Sequence, residues 1–386
     1  MISRRSFFKA ISLGGISIPF LPSSAKKVFA AVQTRVPPKT NIADALKYPR
    51  NEKSMPGKYP GKVVQVYNKN SAVDKKFNEN VIYEMVKAGM LNLTGKTVLK
   101  DAWLEFVSVN DVIGLKINPV AGKDLSTSHE ITRVIIKQLE EAGIKREKLV
   151  IWDRREFEMH EIGFNKDNYP GIKIIGTERK DEKGSFYDSY GHLYGADMID
   201  RNWSYWADCE DNYDEETMPY MVNEGKHSYF SKIVTQQVDK IINIPILKNA
   251  GASVTLCLKN LAYGTISNTG RLHRGLWHET SAEACAFPPL RDKVVLNIVD
   301  GIKGCFQGGP GAPNEQFMTY YHTVLVGTDP VAVDRIGYDI VIKKRIEEKI
   351  QKADSANGRI FMDAAEKLKL GVADIAKIDL KKIEMS

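Results

Sequence analysis

The sequence predicts an α/β fold: a largely parallel sheet flanked by helices, interrupted by an irregular aromatic and acidic insertion at about 178–230. Three observations carry that reading. Short apolar runs end in polar residues at DVIGLKIN (111–118), KLVIWD (148–153) and GIKIIGT (171–177), the pattern of strands buried on both faces. A helical pattern lies between the first two, giving a strand–helix–strand unit of the kind that builds parallel sheets. The 386 residues are 43% hydrophobic and 27% charged, which suits one large or two medium cores and excludes a disordered chain.

In chain order, residues 1–30 stand apart. SRRSFFK (3–9) pairs two arginines with two phenylalanines, and an apolar stretch from Ala10 to Leu21 follows, broken by Gly14, Gly15 and Pro19. That stretch falls short of the roughly 17–25 apolar residues that span a bilayer. Ala30 and Ala31 are small enough for cleavage. The segment resembles a twin-arginine export signal; an ordinary secretory leader is the plainer alternative. The resemblance implies passage through the twin-arginine translocase in a folded state, a periplasmic or otherwise exported location, and a raised expectation of a cofactor. Setting apart Arg4, Arg5, Lys9, Lys26 and Lys27 lowers the formal net charge from +7 to +2, which removes the main support for a nucleic-acid partner.

Residues 31–62, rich in Pro, Gly and Lys, read as an extended connector, and 63–386 as the α/β domain. KVVQVYN opens it as a strand and 78–90 as a helix. Thr127 and Glu130 have capping-box spacing ahead of a helix whose apolar face holds Ile131, Val134, Ile135 and Leu139. From 178 to 226 the periodicity dissolves, so the segment reads as an insertion or lid; its acidic run DCEDNYDEE is expected to be a solvated loop. Order returns with VDKIINIPILK (238–248) and KVVLNIVDGI (293–302), and Asp329-Pro330 starts a long helix. Cys209, Cys257, Cys285 and Cys305 contain no C-x-x-C, so no iron–sulfur motif is written in the chain.

Taken together, DKIINIPILKN, VTLCLKNLAYG, LNIVDGIKGCFQGGPG and VGTDPVAVD, preceded by GLKIN and STSHEITRVIIKQLEEAG, resemble the family called domain of unknown function 362 over roughly Asp111 to Asp339. The resemblance implies no established activity. Many members carry ferredoxin-type modules, which implies redox or metal company. Family members often show Lys-Thr-His where this chain has Lys248, Asn249 and Ala250, so no ligand role is carried over there.

Candidate site residues follow from strand ends and polar clusters. In KNAGASVTLCLKN (248–260), Lys248, Lys259 and Asn260 would meet an anionic group at the carboxyl end of a parallel sheet. The segment reads either as a strand with Thr255, Cys257 and Lys259 on one face, or as a helix burying Val254, Leu258 and Leu261. The plainer alternative has both lysines ending elements and reaching into water. GLKIN adds Lys116 and Asn118, and His129 sits in the first turn of the next helix. In RLHRGLWHE, Arg271 and Arg274 favour an anionic ligand, while His273, His278 and Glu279 could converge on a metal, though not at the i, i+4 spacing of a helical zinc site; a plain surface loop is the alternative. QGGPGAPNE offers Gly309 to a phosphate without Walker or Rossmann spacing. Asp300, with His129 or His273, would supply proton transfer or one metal ligand. Asp334 has no such ready explanation; it would face the site or pair with an arginine. The reading is an exported redox- or metal-associated enzyme acting on a small anionic substrate or cofactor, with a metal ion and a redox partner protein as candidate company. A non-catalytic periplasmic binding or maturation protein is the alternative.

Overall fold

In the computed structural model the described residues are 37–210, 225–251, 253–311 and 314–386. The chain divides into the units Met1–Pro37 and Pro38–Ser386, and the sheet and its helices belong to the second. The expected leader and most of the acidic run lie outside the described residues.

The first strands are β1 (Lys62–Tyr67), β2 (Ala72–Val73), β3 (Lys76–Phe77), β4 (Ile113–Lys116), β5 (Leu149–Arg155), β6 (Lys173–Glu178) and β7 (Ile199–Trp206). They continue with β8 (His227–Ser231), β9 (Lys240–Asn243), β10 (Ile246–Ala250), β11 (Ser253–Thr255), β12 (Val294–Cys305), β13 (Met318–Gly327) and β14 (Asp379–Glu384). Among the described residues, ten of these strands form one sheet in the order β14-β1-β13-β12-β9-β4-β5-β6, with β10 attached to β12 and β11 to β10. The run from β12 through β9, β4 and β5 to β6 is parallel, and β13 is the antiparallel strand between β1 and β12. The sheet is therefore largely parallel, as its doubly apolar strands require.

Alternation within each strand feeds two cores. Val63, Ile241 and Leu325 face one layer, where helices α3 (Cys257–Tyr263) and α6 (Pro330–Glu347) pack. Val64, Ile242 and Val324 face the other, beneath α1 (Glu79–Thr94) and α2 (His129–Glu141). Two shorter helices, α4 (Gly270–Gly275) and α5 (Trp277–Glu283), follow α3. Among the described residues no helix is long and apolar enough to cross a membrane.

Three local expectations are corrected. The cap of α2 is Ser128, whose hydroxyl accepts from Ile131 N at 3.4 Å; Thr127 donates instead to Ile244 O at 2.7 Å. VDKIINIPILK is two strands, because Pro245 lacks the N–H that would continue the ladder. The insertion contains regular structure, since β7 and β8 pair antiparallel.

The chain leaves β4 toward β5 but leaves β9 toward β12, so the connections diverge between two neighbouring strands. In open α/β sheets ligands bind at the carboxyl ends of the strands beside such a divergence.

Candidate functional site

The carboxyl ends of β4, β5, β6 and β9 present Lys116, Asp153 to Arg155, Glu178 and Asn243. The crevice between β4 and β9 is filled by Asn260 from α3. Its Oδ1 accepts from Lys116 Nζ and from Asn118 Nδ2, each at 3.0 Å, while its Nδ2 donates to Asn243 Oδ1 at 2.8 Å. Asn243 in turn donates to Asn297 Oδ1 at 2.9 Å. Lys116 is fully buried and also donates to Asp153 and to Ile117 O. Burial pulls the Lys116 pKa down and the charge of Asp153 opposes it. Space for this ammonium exists because Gly264 has no side chain: a Cβ there would clash with Lys116 Cε.

Beyond Ile244 the chain turns away from β4 and β10 runs along β12 instead. Lys248 closes the resulting split. Its Nζ donates to Asn118 Oδ1 at 2.9 Å, Val120 O at 2.7 Å and Leu125 O at 3.2 Å, with no carboxylate among them. Burial pulls its pKa to about 7, while three oxygen acceptors suit the ammonium form. Asp300 serves the same join: its carboxylate accepts from Ser128 N at 2.8 Å and from Ile302 N at 3.2 Å, at 1% exposure. Gly309 lies against β10, where a Cβ would clash with Asn249 O, so close packing explains it.

The structure thus gathers Lys116, Asn118, Lys248 and Asn260, but as a closed polar network whose donors and acceptors satisfy one another. Lys259 differs. It is half-buried, lies over the Tyr263 ring at 5.5 Å and the Trp277 ring at 5.2 Å, and no carboxylate pairs with it among the described residues. Burial pulls its pKa to about 8.

His273 adjoins the same Tyr263 ring, with centroids 4.5 Å apart. Its Nδ1 meets Thr269 O at 2.9 Å, so that nitrogen carries the proton and Nε2 keeps a free lone pair. The ring reaches solvent, yet crowding by protein, then the charges of Lys259, Arg154 and Arg155, push its pKa down to about 3. His278 stacks on Trp277 with centroids 4.0 Å apart; burial and Lys259 push it down to about 4, and its Nδ1 is buried without a hydrogen-bond partner.

The carboxyl end of β5 carries residues that sequence reasoning missed. Arg154 donates to Glu178 at 3.0 Å, and Arg155 bridges Glu178 at 3.1 Å and Glu158 at 2.9 Å. Their side chains keep 12% and 20% exposure, against 3% for Glu178. A signal for them exists: DRRE continues KLVIWD past the last apolar residue, at the carboxyl end of a parallel strand.

Other candidates lie elsewhere. His129 stacks on Phe164 at 4.2 Å, and its nitrogens meet Tyr169 Oη at 2.7 Å and Ile162 O at 2.9 Å, so both are occupied structurally. Arg271 is 2% exposed and donates to Ala207 O, Cys209 O and Ser228 Oγ, fastening α4 to the β7–β8 hairpin. His273, His278 and Glu279 do not converge: among the described residues no three His, Cys, Asp or Glu side chains are placed to hold a metal ion. Among the described residues Asp334 pairs with no arginine; it accepts from Cys257 N at 2.6 Å and Leu258 N at 3.1 Å, capping α3 from outside. Cys257, Cys285 and Cys305 are buried thiols, and Cys209 is half-buried.

Residues 204–339 match the family model described as Domain of unknown function (DUF362). The match supports the resemblance read from the sequence. The DUF362 segment supplies Lys248, Lys259, Asn260, His273 and His278, whereas Lys116, Asn118, Arg154 and Arg155 precede it. No curated protein matches the sequence. Among solved structures, the chain is similar to a protein from Thermotoga maritima, at 10% identity and a TM-score of 0.38, over 69% of this chain and 59% of that one. It is also similar to the lactate racemase apoprotein from Thermoanaerobacterium thermosaccharolyticum, at 9% identity and a TM-score of 0.34, over 73% of this chain and 57% of that one. The chain spans less than two thirds of either structure.

Proposed function

We propose that the protein is an exported enzyme whose substrate is a small anion, a carboxylate or a phosphate, held in the cleft at the carboxyl ends of β4, β5 and β6. The observation that carries this reading is Lys259, a half-buried ammonium over two aromatic rings with no carboxylate partner among the described residues. A charge so placed costs several kcal/mol of lost hydration, and an anionic ligand is what would offset that cost. Arg154 stands close enough for its charge to reach His273 beside Lys259. Export rests on the paired arginines of the leader. A redox role draws only on that route and on the company the family keeps. Among the described residues no three side chains are placed to hold a metal ion, and Asp300 accepts a backbone amide on each oxygen. His273, with a free Nε2, is the proton acceptor the cleft offers.

Calorimetric titration with sulfate, phosphate and short carboxylates tests the reading. Lys259→Ala is expected to weaken the best ligand at least about tenfold, and Arg154→Ala by less, because that guanidinium already has Glu178. Unchanged binding in both variants would sink it.

A further inference from the structure

We propose that Lys259 is a nucleophilic amine that forms an imine with a carbonyl group carried by the anionic ligand, so that the substrate class is a small oxo acid or an aldehyde bearing an anionic group. This rests on the reading of the cleft as an anion site and narrows it.

The surroundings of the nitrogen set it apart. A lysine that ends an element on a protein surface is hydrated and fully protonated, and a buried lysine normally has a carboxylate, as Lys116 has Asp153. Among the described residues Lys259 has neither arrangement: it is half-buried, its head lies over Tyr263 and Trp277, and its charge bears on Lys248, His273 and His278. A desolvating apolar environment frees a lysine lone pair at neutral pH. The aromatic faces act the other way and hold the ammonium by about 1 kcal/mol. Burial prevails here, bringing the pKa to about 8, so a usable fraction of amine is present at neutral pH.

The chemistry balances without an added oxidant or reductant. The amine lone pair forms a C–N bond to the carbonyl carbon, and the carbonyl π pair moves to oxygen. A proton shifts from nitrogen to that oxygen, and a second proton, from solvent, lets it depart as water and leaves a protonated imine. Hydrolysis reverses each step and restores Lys259. His273 Nε2, on the same Tyr263 ring, is the lone pair available to orient the water. Arg154 would hold the anionic end.

The test uses the purified protein with glyoxylate, an anionic aldehyde, and propanal, its uncharged counterpart, each with cyanoborohydride at pH 7.5, followed by peptide mass mapping. The expected result is a reduced glyoxylate adduct at Lys259 formed at least about tenfold faster than at exposed lysines, suppressed by sulfate, with no such preference for propanal. Glyoxylate labelling spread over surface lysines with no preference for Lys259 would overturn the proposal. Sulfate titration separates the two readings. Binding that Lys259→Arg retains, without adduct formation in the wild type, removes the nucleophile and leaves the anion site. Absence of both sulfate binding and labelling removes the anion site as well.

Discussion

Lys248 and Lys259 stand in one short stretch of chain, yet the fold uses them differently. Lys248 has three oxygens around its nitrogen and fixes a split between strands; Lys259 has aromatic faces and the cleft. The difference predicts a pH profile. With a pKa near 8, Lys259 loses its charge as pH rises, while His273 and His278, at about 3 and 4, are neutral throughout the working range. Sulfate affinity should therefore be level from about pH 5 to 7 and fall roughly tenfold by about pH 9. Titrations across that range check it, and tightening below about pH 6 would instead assign the charge to the histidines. Lys116 supports a second prediction. Lys116→Met leaves Asp153, itself 4% exposed, as an uncompensated buried carboxylate, so urea unfolding should show a loss of about 3–5 kcal/mol. Asp300→Asn should likewise lower stability, by about 1–3 kcal/mol, because an amide N–H would face a backbone N–H at Ser128 or Ile302. Lost sulfate binding with unchanged stability would return Asp300 to the site.

Helix α3 shows what an element needs beyond its own sequence. It begins at Cys257 without a capping side chain of its own, and Asp334 of α6 supplies the missing acceptor for two amides. Burial raises the Asp334 pKa to about 7, with those amides opposing the rise. A carboxyl raised above its unfolded value of 3.8 binds protons more tightly in the native state, so its contribution to stability falls as pH rises from about 4 to 7. The wild type should lose stability relative to Asp334→Asn over that window, by no more than about 1.4 kcal/mol per pH unit. Parallel denaturation curves at several pH values measure it; a constant difference between the two would refute the shift. Elements built from local signals were legible: the strands β4 and β5 and the helix after Asp329. What escaped depends on distant partners. Periodicity could not decide between strand and helix for residues 253–263, since the chain makes a short strand and then a helix whose cap lies 77 positions away. Nor could it show that Lys116, Asn118 and Asn260 satisfy one another, because that closure requires three elements to meet. Arg154 and Arg155 were missed, although DRRE stands at a strand's carboxyl end, and their partner Glu178 ends a different strand.

At the scale of the molecule, the segment that matches the DUF362 model and the folding unit do not coincide. Residues 204–339 hold β8 to β13 and α3 to α5, but β9 pairs with β4 and β13 pairs with β1, both outside the match. Cutting there opens the sheet along both sides and removes α1 and α2, which cover the face carrying Ile242, Leu296 and Val324. One of two cores would be lost, and Asn260 would keep Asn243 but lose Lys116 and Asn118. Exposed edges and an uncovered apolar face favour association over folding. A fragment of residues 204–339 should therefore show no cooperative thermal transition by circular dichroism, where residues 38–386 show one. It should also fail to bind sulfate, because Arg154 is absent and α3 has lost the network that sets Lys259 at the cleft. A sharp, reversible melt of the short fragment would mean that the matched segment folds alone and that β4 to β6 are an addition to it. The cleft would then be a joint between two parts, and its chemistry would have to be sought on the DUF362 side, with Lys259, His273 and His278.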